Sequence, residues 1–600
     1  MGNNRVRFVV TVFAAMVLTA SVVVAQSSGT GAQRPVRALG AGGNADPDAV
    51  SVDVNDVGVA RPIEAKTARA HSVRLGRGYT SVPSSRSWST RELFLSGEEG
   101  EELKPRANPS VGRSDLTDDL ERPLGGVGTT ISLGTGFAGL RQTGNGGPNT
   151  WSVPPDTVGD VGITEYVQAV NTVFAVYDKA TGAKLFGPTS QSDLYDPSFQ
   201  SICASHDDGD PIVVYDETAD RFVLSQFALN FNTDTYYECI AVSQDGSPSD
   251  GAWHAYQFEY PIPALNDYPK FGVWPDAYYA SFNQFRLNNR GNFVWRGAGA
   301  IAYERSAMLD GDPATQIYAD LFGVRPDLGG LLPSDWDSPD APPAGMPNLF
   351  LMFDADDAFW GYEDDQVEFW AFDIDFAVPA NSTFEQVSVT SNNDEGGLDV
   401  GNFNPWVCGA PRLACIRQKN SSVKLDAISD RLMNRLQYWN DGSTQHLVVN
   451  HTVKSNDGGS AVRWYDFVND TQNPASTAWE VGDQGTFGPG ALSRWMGSAA
   501  MNDQGDLAVG YSTSSKKKFP GIGVAARTTA DPAKTLGAER KFFTGKGSER
   551  GNFNRWGDYS AMTVDPTDNC TFWYTQQFYA KTGQWKWATR IQPFTVTDCV

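Results

Sequence analysis

The chain has 600 residues, a formal net charge of −24, 40% apolar residues and 12% aromatic residues. So acidic a composition repels phosphate backbones and anionic lipid, which sets nucleic acid aside as a partner. Six cysteines, an even number with no Cys-x-x-Cys among them, predict disulfides rather than a metal cluster.

The chain opens on Arg5 and Arg7, followed by an almost wholly apolar run over residues 8–24. Val23 and Ala25 then supply the small residues of a cleavage site before Gln26, so residues 1–25 are predicted to be a secretory signal peptide. An uncleaved anchor is the rival reading, because the run approaches the roughly 18 residues that span a bilayer. The Val-Val-Ala end favours cleavage, and no later segment is long and apolar enough to span a membrane. The expected location is secreted, either extracellular or in the cell envelope. Residues 26–123 are rich in Gly, Ser, Ala, Arg and Asp and cannot bury enough apolar surface to offset their ordering entropy. They read as a flexible leader, with a short strand near residues 91–95.

From residue 124 to 600 the texture is that of one all-β domain. Short apolar and aromatic runs such as 166–177, 212–215, 221–228, 369–376 and 446–453 alternate with Gly, Pro, Asn and Asp clusters. Residues 423–436 are the best candidate for a short helix. The octet from Arg494 to Met501 recurs from Arg555 to Met562, about 61 residues later, a suitable size for a four-stranded blade. A unit of strand, Asp-bearing turn and second strand fits seven places, turning near Asp160, Asp216, Asp276, Asp354, Asp441, Asp503 and Asp565. These lie 56 to 87 residues apart and predict a seven-bladed β-propeller, with six or eight blades as the alternatives. Large aromatic residues would wedge the blades together. The nearest cysteine pairings are Cys203 with Cys239, Cys408 with Cys415, and Cys570 with Cys599.

Two motifs, Ser455-Asn456-Asp457-Gly458-Gly459 with Trp464 and Ser243-Gln244-Asp245-Gly246 with Trp253, resemble the Asp-boxes of sialidase-like propellers, although both depart in spacing. The segments 494–512, 555–574, 431–452 and 156–177 resemble a recurring family of large exported bacterial proteins of unknown function. That resemblance covers most of the chain from about Pro148 to Cys599. It implies an extracellular location and a propeller-like domain, and it brings no activity with it.

If the first strand of each unit is innermost, the residues just before it gather at one channel mouth. Those residues are Asp156, Asp210, Lys270, Asn348, Arg435, Arg494 and Arg555, with Asp558 close behind. Such a ring is suited to hold a polar ligand, an extracellular glycan or a surface protein, and its arginines could grip carboxylate or sulfate. The bland alternative is that these charges pair with one another and stiffen the channel. A carbohydrate-active enzyme, glycosidase or lyase, would draw on Asp558 as acid and Tyr559 as nucleophile, and a non-catalytic envelope scaffold is a third reading. The true sialidase pattern is lacking, since only Arg590-Ile591-Gln592-Pro593 approaches an Arg-Ile-Pro motif. Calcium is the one cofactor suggested, at Asp354, Asp356 and Asp357 beside Glu363, Asp364 and Asp365, with residues 502–506 as a weaker second place. A solvated acidic turn is the plainer reading of that cluster.

Overall fold

Short β-branched and aromatic runs punctuated by turn residues leave little room for helix, and the chain is nearly all β. The computed structural model describes residues 66–68, 71–74, 118–126, 128–142, 154–195, 201–288, 293–323, 325–356, 364–389, 396–409, 414–551 and 554–597. Among them the one α-helix is Arg305–Asp310. The expected signal peptide, the strand near residues 91–95, Asp357 and Cys599 lie outside the described residues.

The strands form sheets of four or more, mostly in simple antiparallel succession. Their first strands are Val158–Val161, Gly209–Asp216, Leu265–Val273, Leu332–Trp336, Leu432–Asn440, Ser493–Met501 and Ala561–Val564. Each of these neighbours the next in that order, and Ala561–Val564 returns to Val158–Val161. Residues 334–336 pair in parallel with 436–438, which joins the fourth and fifth sheets into one of nine strands. The first strands approach closely: a Cβ on Gly272 would lie 2.2 Å from the Ser334 carbonyl oxygen, so only glycine fits there.

Side chains stitch the neighbouring first strands together. Asp160 Oδ2 accepts the Tyr215 N–H at 2.9 Å, Asp335 Oδ1 accepts the Val273 N–H at 2.9 Å, and Gln437 Oε1 accepts the Met501 N–H at 2.6 Å. The repeated octets meet here as well. Ser498 Oγ accepts the Met562 N–H at 3.0 Å, and the rings of Trp495 and Trp556 lie 5.3 Å apart. Trp253, Trp274, Trp370, Trp464, Trp479 and Trp587 are likewise fully buried, so most of the aromatic content is core.

Residues ahead of the first sheet complete other sheets. Ile131–Leu133 and Phe137–Arg141 both pair with Trp587–Val596, the last strand of the seventh sheet. Lys66–Ala68 pairs with Ala314–Asp320, and His71–Arg74 with Ala252–Glu259. Residues 118–122 lie along Glu480–Phe487, where Arg463, fully buried, holds Asp118 at 2.9 Å.

Six of the seven anticipated units join a first strand to a second. The unit expected to turn near Asp354 does not, because Asn348–Asp354 is the second strand of its sheet and Leu332–Trp336 the first. The helix expected over 423–436 is absent: residues 423–431 form no helix and Leu432–Asn440 is a strand. Its apolar spacing instead serves burial on both faces of a strand between packed sheets. Cys203–Cys239 and Cys408–Cys415 are disulfides, and Cys570 is disulfide-bonded too. The two Asp-box-like motifs are not equivalent. Ser243 ends a third strand before the fourth, whereas Ser455 sits between the second and third strands of its sheet. Among the described residues no helix is long and apolar enough to cross a membrane.

Candidate functional site

A backbone feature recurs in or just before several first strands. Asp156, Asp210, Tyr268 and Met496 have φ of 44°, 51°, 54° and 49°, and Gly330 has 62°. This left-handed step costs a residue with a Cβ and persists where surrounding packing holds it.

Four of the expected ring residues meet there. Asp156 Oδ1 accepts the Asp558 N–H at 2.7 Å, although the two are 402 positions apart. Asn171 bridges Asp156 and Asp210: its Nδ2 donates to Asp156 Oδ2, and its Oδ1 accepts the Asp210 N–H at 2.7 Å. Asp210 Oδ2 in turn accepts the Tyr268 N–H at 3.2 Å. Lys270 is 1% exposed, with its Nζ 3.4 Å from the Tyr268 ring centre and 4.1 Å from that of Tyr559. The same Nζ donates to the Pro269 carbonyl oxygen at 2.6 Å. Burial lowers this amine to about 8, against the opposite pull of Asp210, Asp558, Asp156 and Asp267.

Arg555 joins the cluster through Asp558, donating from Nη2 to both carboxylate oxygens at 2.6 and 2.8 Å. Its Nη1 lies 3.3 Å from Asp426. The Arg431 guanidinium also lies over Tyr268, 4.3 Å from the ring centre. Asp210, Asp267 and Arg555 are half-buried, whereas Lys270, Tyr268 and Tyr559 are buried, so the cluster has a polar rim and an aromatic floor.

The remaining expected residues lie elsewhere. Arg435 is held by Asp335 at 2.7 Å and Asp337 at 2.9 Å, in a second cluster with Asp160 and Glu217. There burial raises Glu217 well above the usual carboxylate range, with Asp337 facing it. Arg494 pairs with Glu539 at 2.9 Å and stacks over Phe487, and Asn348 bonds the Ser334 backbone from a second strand. Arg435 and Arg494 thus meet carboxylates from outside the expected ring, and only Arg555 pairs within it, with Asp558.

The catalytic candidates are equally committed. The Tyr559 hydroxyl donates to the Pro211 carbonyl oxygen at 3.0 Å, and burial holds it well above the usual phenol range. Asp558 is neutralised by Arg555. Of the expected calcium ligands, Asp354 lies beside Glu368 and Arg325, Asp356 lies beside Asp365, to which its N–H donates at 2.8 Å, and Asp357 and Glu363 lie outside the described residues. Among the described residues no group of three or more His, Cys, Asp or Glu side chains could hold a metal ion.

No protein-family model matches the chain, and no curated protein matches it. Among solved structures it is similar to a protein of unknown function from Dyadobacter fermentans, at 13% identity and a TM-score of 0.25, over 55% of this chain and 94% of that one. It is similar to a GH43 endo-arabinanase from Bacillus licheniformis at 10% identity and a TM-score of 0.25, covering 62% and 93%. A Trypanosoma rangeli sialidase in complex with sialic acid matches at 9% identity and a TM-score of 0.30, covering 64% of this chain and 53% of the sialidase. Likeness at this level assigns neither ligand nor activity.

Sequence reasoning missed Tyr268 and Arg431. The signal for Tyr268 was present, since Asp210-Pro211 and Tyr268-Pro269 both stand ahead of the apolar run of a first strand. Nothing local marks Arg431, which reaches the site from the crossover between the fourth and fifth sheets.

Proposed function

We propose that the chain is an exported seven-bladed β-propeller that binds a neutral extracellular glycan at the rim formed by Asp210, Asp267 and Arg555. The cyclic order of the first strands supports the propeller reading, with 131–141 closing the last blade. Disulfides in sheet and crossover accord with an oxidising compartment.

The observation that carries the ligand reading is the convergence of Asp156, Asp210, Lys270 and Asp558 around two tyrosine rings. The half-buried carboxylates and guanidinium of the rim suit hydroxyl-rich sugars, which need both acceptors and donors, while the buried amine and rings brace them from beneath. An acidic sugar suits the rim less well, because Arg555 already meets two carboxylates. Binding rather than catalysis is favoured, since neither Tyr559 nor Asp558 is placed to move a proton.

The test is a neutral-oligosaccharide array read with wild-type protein, Asp210→Asn and Lys270→Met, each checked for folding by circular dichroism. Wild-type binding and at least a tenfold loss in both variants are expected. Equal binding by folded variants contradicts the site.

A further inference from the structure

On a molecule of net charge −24, one stretch of surface carries the opposite sign. Across residues 417–424, 514–521, 540–551 and 579–587 the sequence has twelve lysines and arginines and a single carboxylate, Glu549. These four segments are adjacent in space. Ser514 Oγ donates to the Arg417 carbonyl oxygen at 2.8 Å, and the Lys419 N–H to that of Lys518 at 3.2 Å. The Lys546 N–H donates to the Tyr579 carbonyl oxygen at 2.8 Å, and the Arg550 N–H to that of Gly583 at 3.2 Å. Arg550 Nη2 also reaches the Asn420 carbonyl oxygen at 3.3 Å.

The cations face solvent while the acids nearby are spent. Lys516, Lys517, Lys518, Lys541, Lys546 and Arg550 are all exposed. Glu549 is buried against the Tyr579 hydroxyl and the Trp585 N–H, and Glu539 just upstream is held by Arg494 and Tyr511. Burial first, then the neighbouring Lys541 and Arg494, hold the Lys518 ammonium below the usual lysine range against the opposite pull of Glu539. Keeping so many like charges together costs energy that a bound polyanion would relieve.

We infer that this basic face, formed by the sixth and seventh sheets and the 414–431 crossover, is a docking surface for an anionic polysaccharide, distinct from the neutral-glycan rim. Three features select a polysaccharide over a lipid surface. Half-buried Phe519, Phe543 and Trp585 lie among the lysines and offer rings for sugar faces, with Lys419 Nζ 4.9 Å from the Phe519 ring centre. The large hydrophobic residues that stand exposed among the described residues are Leu124, Leu133, Ile163, Val294 and Val378, and none is in these segments to insert into acyl chains. Lysines spread over four segments match a repeating charge along an extended chain better than one fixed bidentate group.

The experiment measures binding of the full chain to heparin, to polygalacturonate and to neutral dextran over a salt series. Parallel measurements use phosphatidylglycerol vesicles and duplex DNA. Wild-type protein is expected to bind heparin or polygalacturonate, not dextran, with affinity falling steeply as salt rises. The two polyanions separate sulfate from carboxylate preference. Lys516→Glu with Lys517→Glu and Lys518→Glu should weaken binding at least tenfold, while Lys454→Glu with Lys534→Glu, exposed elsewhere, should not. Overturning results are no binding to either polyanion, equal loss in both variants, or binding to vesicles or DNA alone. Lys270→Met should leave this binding intact, which separates its failure from failure of the rim.

Discussion

Buried charges decide which single substitutions matter. Arg463 is fully buried and spans Asp118, Thr486 and the carbonyl oxygens of Gly401 and Asn402. Arg463→Met leaves Asp118 buried without its partner and should cost about 3–5 kcal/mol in urea unfolding. Asp160 titrates in the folded protein in an unusual range. Burial raises it to about 8 although Arg435 pulls it down, and Asp337 and Asp335 add to the rise. Its folded value therefore exceeds its unfolded one, so its contribution is full below about pH 4 and is lost as pH rises toward 8. Asp160→Asn should flatten the fall in urea midpoint across that window, and an unchanged slope would show that other groups set it. Lys270 runs the other way: lowered to about 8, it lets stability rise between about pH 8 and 10. Part of this was legible in the sequence. Asp156, Asp210 and Lys270 stand ahead of the apolar runs of their first strands and were found by position, whereas Arg494 occupies the same repeat position as Arg555 yet pairs with Glu539. A repeat fixes backbone placement, but side-chain direction depends on which acid stands across the gap.

Among the elements, hairpins were easier to read than their order within a sheet. A strand–turn–strand pattern is the same whether it joins first to second or second to third strand, which is why the unit expected to turn near Asp354 was placed one strand late. The 423–436 segment reads as helix because its apolar residues recur at both helical and strand spacing, and packing on both faces decided for strand. Disulfide pairing followed from proximity in sequence. The Cys203–Cys239 bridge closes 36 residues, so its loss through paired Ala substitution should cost about 3–4 kcal/mol on chain-entropy grounds, measurable as a lowered unfolding midpoint. Cys408–Cys415 closes 7 residues and should cost less, about 2 kcal/mol. Residues 131–141 cover the outer edge of the seventh sheet, so deleting them should expose a long strand and promote association, seen as aggregation in size-exclusion chromatography.

The molecule as a whole carries its chemistry where sequence-distant segments meet. The 402-position step from Asp156 to Asp558 has no local signature, and only the return of the last first strand to the first brings the two together. The basic face was invisible for the same reason, because four modest runs in four segments add up only after folding, beneath a strongly negative total. A neutral glycan at the rim and an anionic chain on the flank would suit a secreted protein that holds two features of one extracellular matrix. Hydrogen–deuterium exchange with and without a bound neutral oligosaccharide tests the rim most directly. Simultaneous protection of residues 154–157, 209–211, 267–270 and 555–559 is the expected result. Protection confined to one of these segments, or found only outside them, would contradict it.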